Sequence, residues 1–431
     1  MLMNSNLTTD RPTFVSHLEC SMTGERYEAG QVHNLSRVGR PLLVRYDLAK
    51  LAKAVSKDEI ASRPADLWRY REFLPVTKTS SIVSLGEMVT PIIACPTLHK
   101  RLTGGAPSAA AGMGASSPHA GALLIKDESR LPTGSFKARG LCLAVSMARE
   151  LGLTRLAMPT NGNAGAAMAA YASRAGMETF IFCPHDTPQV NIREIALQGA
   201  HVFSVNGLIN DCGKIVAEGK AAVNWFDVST LKEPYRIEGK KTMGLEVAEQ
   251  FGWSVPDVIF YPTGGGTGLI GMCKAFDELE AIGWIGPKRP RMVAVQAAGC
   301  APIVRAWEEG KEHAELWQNA STIAWGIRVP AAVGDFLMIR GMRATNGFGT
   351  TVTDEEILSA RDEMARVEGF LMCPEGAATY AAYKKELAGG RVSKSETALL
   401  FNCASGLKYE LPPATRTIDR TKPIDYPALA R

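Results

Sequence analysis

The sequence predicts an α/β fold of two lobes, in which mostly parallel sheets are covered by helices and an N-terminal extension packs on the main body. Three observations carry this. From about residue 120 onward, short apolar runs alternate with stretches of helical periodicity, the pattern of parallel strands joined by crossover helices. Hydrophobic residues make up 46% of the 431 residues and charged residues 21%, enough apolar side chain for two or three packed units at roughly 150 residues each. Glycine is over-used, with 41 residues against the usual ~7%, and its densest cluster falls where a strand gives way to a helix.

Taken in order, residues 1–90 hold short, polar, turn-rich segments and one aromatic–basic cluster, Trp68-Arg69-Tyr70-Arg71, and form the extension. Thr103–Ala122 is rich in Gly, Ala, Ser and Pro and reads as a flexible surface insertion. Leu123–Ile125 is then a strand, followed by a helix over Lys137–Leu151. The alternation continues with strand Arg155–Met158 and helix Asn163–Arg174, strand Thr179–Cys183 and helix Thr187–Leu197, and strand Val202–Val205. A helix over Glu238–Phe251 leads to strand Val258–Tyr261, helix Thr267–Ala281 and strand Met292–Val295. Helix Asp354–Val367 and strand Ala398–Phe401 close the series. Residues 145–245 are expected to form a smaller, mobile lobe, and residues 91–144 with 246–431 the larger one. Groups that bind ligands should gather at the carboxyl ends of the strands.

Composition narrows the function classes. The net charge of +4 comes from 48 basic and 44 acidic residues without a like-charge block, so neither nucleic acid nor a membrane surface is indicated as partner. The longest apolar runs are strand-length, far short of the ~20 residues that span a bilayer. Met1–Val15 lacks a basic start followed by an apolar run, so no secretory leader is expected. Nine cysteines, an odd number without a CxxC pair, argue against a disulfide framework and for a reducing cytoplasm. The seven histidines are scattered and form no HxxxH, and no metal is expected. Cys20-Ser21-Met22-Thr23-Gly24 looks like half of a zinc knuckle, but no second cysteine pair follows. Cys183-Pro184-His185 reads as the end of a strand.

Four constellations carry chemistry. Pro132-Thr133-Gly134-Ser135-Phe136-Lys137 follows a strand and opens a helix. A lysine at a helix N-terminus feels the positive end of the dipole, which favours the neutral amine that Schiff-base chemistry requires. By itself the segment is equally an exposed lysine at a helix start capped by Ser135. Pro159-Thr160-Asn161-Gly162-Asn163 also joins strand to helix, and free N–H groups there suit a carboxylate or phosphate; an ordinary turn with an Asn cap has the same pattern. Pro262-Thr263-Gly264-Gly265-Gly266-Thr267-Gly268 follows a third strand, and its bare backbone lets several amides converge on a phosphate. The loop contains GxGxxG from Gly266 to Gly271, but the next strand ends in Gln296-Ala297-Ala298-Gly299 rather than the acid a nicotinamide dinucleotide site needs. No GK[ST] follows, which removes a Walker-type loop. Phe401-Asn402-Cys403 ends a fourth strand, where a neutral side chain can meet a ligand ring; alone it is as well explained by a small buried hydrophobe.

Together these segments resemble the tryptophan-synthase-like, fold type II pyridoxal-phosphate enzymes, and within them the threonine synthases. The resemblance runs from about Leu18 to Tyr409, with four motifs in the family's order. Connecting segments share it: Leu67–Val76, Glu238-Gly239-Lys240-Lys241-Thr242, Ala298–Val304 and Gly406-Leu407-Lys408-Tyr409. The Cys20 region is similar to that family's ribbon-like leader with its metal cysteines lost. The resemblance implies a carbon–oxygen lyase with pyridoxal 5′-phosphate as cofactor, a small amino-acid substrate and a homodimer. It implies that Lys137 holds the cofactor and shuttles protons, and that Asn163 faces its 3-hydroxyl. Gly264, Gly265, Gly266, Thr267 and Gly268 would hold its phosphate, and Cys403 would face the pyridine nitrogen. Ser135, Thr160, Asn161 and Gly162 would contact substrate. A neutral partner at the ring nitrogen does not enforce ring protonation, which favours elimination over transamination. The implied reaction turns O-phospho-L-homoserine and water into L-threonine and phosphate. Threonine synthases commonly carry Asp after the reactive lysine, and here it is Ala138. The asparagine and phosphate loops also look partly like those of serine/threonine dehydratases, which give a 2-oxo acid and ammonia. A catalytically silent amino-acid-binding module on the same fold is the third alternative. Lys126, Arg130, Arg139 and Lys240 are the basic candidates for a substrate phosphate.

Overall fold

The computed structural model describes residues 10, 13–104, 121–413 and 416–429. Most of the Thr103–Ala122 insertion and of Met1–Val15 lies outside the described residues. Three sheets organise the chain. Strands β1 (Val15–Cys20), β2 (Arg26–Tyr27) and β3 (Leu42–Tyr46) form a small antiparallel sheet of order β2-β1-β3. Strands β4 (Ile92–Ala94) and β5 (Leu123–Asp127) begin a second sheet. The chain then leaves it to build a four-stranded parallel sheet from β6 (Arg155–Pro159), β7 (Glu178–Pro184), β8 (His201–Val205) and β9 (Phe226–Asp227), in the order β8-β7-β6-β9. It returns with β10 (Val258–Pro262), β11 (Arg291–Ala297), β12 (Phe348–Val352) and β13 (Ala398–Asn402). The completed six-stranded sheet has the order β12-β11-β10-β13-β5-β4 and is parallel except where β4 meets β5.

The apolar runs of the large sheet have two faces to bury. Leu123, Ile125, Val258, Phe260 and Leu400 point into one core. Their neighbours Leu124, Ile259, Tyr261, Leu399 and Phe401 point into the other. Alternation of Cβ atoms along each strand divides them in this way. Helix Tyr235–Gln250 packs closely on both Lys137–Glu150 and Thr267–Ala281. Two glycines permit the contact: a Cβ at Gly239 would meet the Arg139 carbonyl, and one at Gly244 the Ala275 methyl. Helices Asp354–Glu368 and Pro374–Ala388 pack together in the second core.

Each strand expected from the sequence is present, extended by one to three residues. β4, three residues long, and β2 and β9, two each, are too short to show a period; β1 alternates half-buried residues in a polar stretch, and β3 is a short buried apolar run within it. The Trp68-Arg69-Tyr70-Arg71 cluster is a buried 3-10 turn that anchors the extension: Arg63 pairs with Glu72 at 2.6 Å, and Arg69 with Glu249 at 2.9 Å. Cys20 lies on β1, where its thiol donates to Ser36 Oγ at 3.2 Å. No helix among the described residues is long and apolar enough to cross a membrane.

Candidate active site

The three strand-to-helix turns singled out in the sequence converge on one cavity of about 380 Å3. Lys137 opens the helix after β5, Asn163 the helix after β6, and Thr267 the helix after β10. Cys403, just past β13, completes the ring of strand ends. Lys137, Thr160, Asn161, Gly162, Asn163, Gly264, Gly265, Gly266, Thr267, Gly268 and Cys403 all line this cavity.

The loops owe their shape to packing behind them. A Cβ at Gly266 would meet the Met338 sulfur and one at Gly268 the Tyr261 hydroxyl, so the chain lies flat against the body and turns its backbone to the cavity. Gly266 also has φ +79°, the left-handed conformation that glycine adopts without strain. Gln296, read in the sequence only as the missing acid, ties this loop down. Its Nε2 donates to the Thr263 carbonyl at 3.0 Å and its Oε1 accepts from Ile303 N at 2.9 Å.

Burial, followed by the nearby Arg236 cation, pulls the Lys137 amine down to about 8. Desolvation and a like charge therefore favour the neutral amine. Lys240 helps place it. This wholly buried lysine donates to the Phe136 carbonyl and stands 3.9 Å from the Phe136 ring centre, with Lys137 Nζ 4.2 Å from the same centre. Burial and Lys137 hold Lys240 itself well below the ordinary lysine value. Burial pushes the Cys403 thiol up, so it stays neutral.

Other expected contacts differ in detail. Ser135 is buried beside the cavity but does not line it, and its hydroxyl has no partner. The Thr160 hydroxyl is taken up by its own loop, accepting from Gly162 N and Gly165 N at 3.0 Å each. Asn161 Nδ2 reaches the Trp325 and Arg328 carbonyls at 3.4 and 3.3 Å, and its Oδ1 has no partner. None of Lys126, Arg130, Arg139 or Lys240 lines the cavity. Lys126 pairs with Glu246, Arg130 with Asp127, and Arg139 with Glu128 and Glu246. The cations on the wall are instead Lys214, Lys232 and Arg236. A second cavity of about 610 Å3 lies between β3 and helices Thr267–Ala281 and Asp335–Ala344. Its cations are already paired: Arg45 with Glu19, Lys274 with Glu238, Arg289 with Glu280 and Arg340 with Glu312.

Residues 83–404 match the family described as pyridoxal-phosphate dependent enzymes. The threonine synthase of Methanocaldococcus jannaschii is 31% identical over 390 residues, which cover 90% of this chain and 92% of that protein. That of Methanosarcina acetivorans is 30% identical, covering 91% and 92%. The chain belongs to the threonine synthase family of fold type II pyridoxal-phosphate enzymes. Among solved structures, the processed form of threonine deaminase isoform 2 from Solanum lycopersicum superposes with a TM-score of 0.60 at 18% identity, over 85% of this chain and 94% of that one, and shares the fold.

As in the family at large, the cofactor is pyridoxal 5′-phosphate and the chain is a lyase, and the cavity fits that cofactor. It offers an amine held near 8 at Lys137, a glycine-lined helix start for a phosphate, and a neutral thiol at Cys403. Asn163 Oδ1 is buried with no partner while its Nδ2 donates to the Tyr409 hydroxyl at 3.2 Å, leaving an open acceptor for a ring hydroxyl. Sequence reasoning missed Lys214, Lys232, Arg236, Glu375 and Tyr409 as lining residues. Only Tyr409 carried a signal, through its place in a segment resembling the threonine synthases.

Proposed function

We propose that this chain is a threonine synthase acting on O-phospho-L-homoserine. The observation that carries the reading is the set of cations around the cavity. Lys214, Lys232 and Arg236 line the wall; Lys214 and Lys232 also pair with Asp211 and Asp227 at 3.4 and 3.6 Å, whereas Arg236 Nε is buried without a partner. An amino acid whose only anion is its carboxylate needs no such set, whereas a substrate ending in a phosphate does. The relatives' names support the same reading.

Bound pyridoxal phosphate would supply the electron sink that makes the substrate Cα proton removable. The residues of the chain do the rest. The Lys137 amine takes the Cα proton and helps to move a Cβ proton. Phosphate leaves from Cγ, which ends as a methyl group, and water adds its hydroxyl at Cβ. The loop of Thr160, Asn161 and Gly162, with the Gly162 amide turned to the Thr160 hydroxyl, cradles the substrate carboxylate, and the wall cations hold the leaving phosphate. Closure of the 145–245 lobe excludes water until the addition step. A homodimer in the cytoplasm completes the reading; the nine free cysteines accord with a reducing compartment.

Purified protein given O-phospho-L-homoserine should release phosphate and form threonine. If it forms 2-oxobutyrate from threonine and releases no phosphate, an ammonia-lyase replaces this reading. If the cofactor binds and neither product appears, the chain is a silent amino-acid-binding module. Sedimentation should give twice the chain mass.

A further inference from the structure

Glu375 is a carboxylate with one oxygen to spare. It stands at the start of helix Pro374–Ala388 and is 3% exposed. Oε1 accepts from the Gly326 amide at 2.6 Å, and a Cβ at Gly326 would sit 2.7 Å from that oxygen, so the carboxylate is clamped. Oε2 is buried and has no partner. The side chain lines the cavity together with Lys137, Asn163, Cys403 and Tyr409. A buried carboxylate oxygen left open costs free energy unless something meets it, and the open oxygen shares this wall with the groups read as ring contacts.

The neighbours show what it acts on. Tyr409 has its hydroxyl held by Asn163 Nδ2, and after burial the Glu375 charge is the largest influence raising that hydroxyl's proton affinity. Lys137 feels the same carboxylate, which opposes the lowering by burial and Arg236. Lys240 shares the Phe136 ring with Lys137 and is a base rather than an anion, and Cys373 and Cys403 are thiols kept neutral by burial. Glu375 is the one carboxylate among the described residues that line the cavity.

We propose that Glu375 is a positioning residue for the cofactor: its clamped carboxylate, on the wall shared with Lys137 and Asn163, supplies toward the ring and its Lys137 linkage the negative charge that the Cys403 thiol lacks. A fixed anion favours the protonated form of a nearby basic nitrogen. The linkage nitrogen therefore keeps its proton to higher pH than it would beside a neutral side chain.

The inference rests on Lys137 as the cofactor's attachment point, and the test separates the two. The holoenzyme is titrated with alkali while following the cofactor band at about 410–430 nm. Lys137→Ala losing the band supports the attachment; its keeping the band overturns that reading, whatever Glu375 does. Glu375→Gln keeps an acceptor for the Gly326 amide and removes the charge. The pH at which its band disappears should fall by about one unit or more. Glu375→Asp, which keeps the charge, should stay near wild type. Glu375→Ser serves as the neutral variant if the glutamine form does not fold. A neutral variant titrating like wild type, or Glu375→Asp shifting as far as Glu375→Gln, overturns the proposal.

Discussion

Arg139→Met should be the most damaging single change outside the cavity. The guanidinium is wholly buried two residues past Lys137. It donates to Glu128 at 2.6 and 2.9 Å, to Glu246 at 2.5 and 2.8 Å, and to the hydroxyls of Thr242 and Thr90 at 3.0 and 3.1 Å. Without it Glu246 keeps Lys126 at 2.8 Å, but Glu128 keeps only the Thr90 hydroxyl at 2.7 Å. Stranding one buried carboxylate costs about 3–5 kcal/mol. The pairing of Glu246 gives a second route to the magnitude. Burial alone would raise its carboxyl, yet Arg139 and Lys126 hold it down to about 2 from an ordinary 4.5, worth roughly 3 kcal/mol near neutral pH. A depressed carboxylate stabilises the fold above its unfolded value and loses that contribution as pH falls from about 4.5 to about 2. Urea unfolding of the holoenzyme, followed by tryptophan fluorescence, should therefore show a loss of about 3–5 kcal/mol near neutral pH and a flatter decline on acidification. In Arg139→Met/Glu128→Gln the damage should be less than additive, since the stranded charge is gone. A loss below about 1 kcal/mol with the acid decline unchanged would refute the view that this network holds the start of the Lys137 helix.

Gly268→Ala forces a methyl group onto the Tyr261 hydroxyl and should weaken cofactor binding at least tenfold in a fluorescence titration, roughly 1.4 kcal/mol; Tyr261→Phe should restore part of it. Arg236→Gln should raise KM for O-phospho-L-homoserine by about 10–100-fold in steady-state assays, with a smaller change in kcat, as expected when a charge-assisted contact worth about 1.5–3 kcal/mol is lost. Hydrogen exchange should slow within residues 145–245 when substrate is added and change little in the six-stranded sheet; equal responses of the two regions would remove the closing lobe.

What the sequence disclosed and what it hid divide along a physical line. Strands such as Val258–Pro262 and Ala398–Asn402 are buried on both faces, so all positions but the terminal Asn402 are apolar or aromatic and the run stands out. The turns behind them carry glycine and asparagine because backbone must face a ligand, and that need is written at consecutive positions. Arg236 and Glu375 had no such mark. Each is one polar residue inside a helix, and its inward aim depends on how that helix is rotated against a sheet built from distant segments. The four basic residues chosen from the sequence failed for the same reason. Lys126 and Arg139 lie close to Lys137 along the chain, yet strand and helix geometry turn them toward Glu246, far away in sequence and adjacent in space. Local chemistry can be read from neighbours in the chain, whereas the charge balance of a cavity is set by residues that meet only after folding. The Lys137 amine shows both sides: its place at a helix start was legible, but the effects that lower it, burial and Arg236, come from tertiary packing.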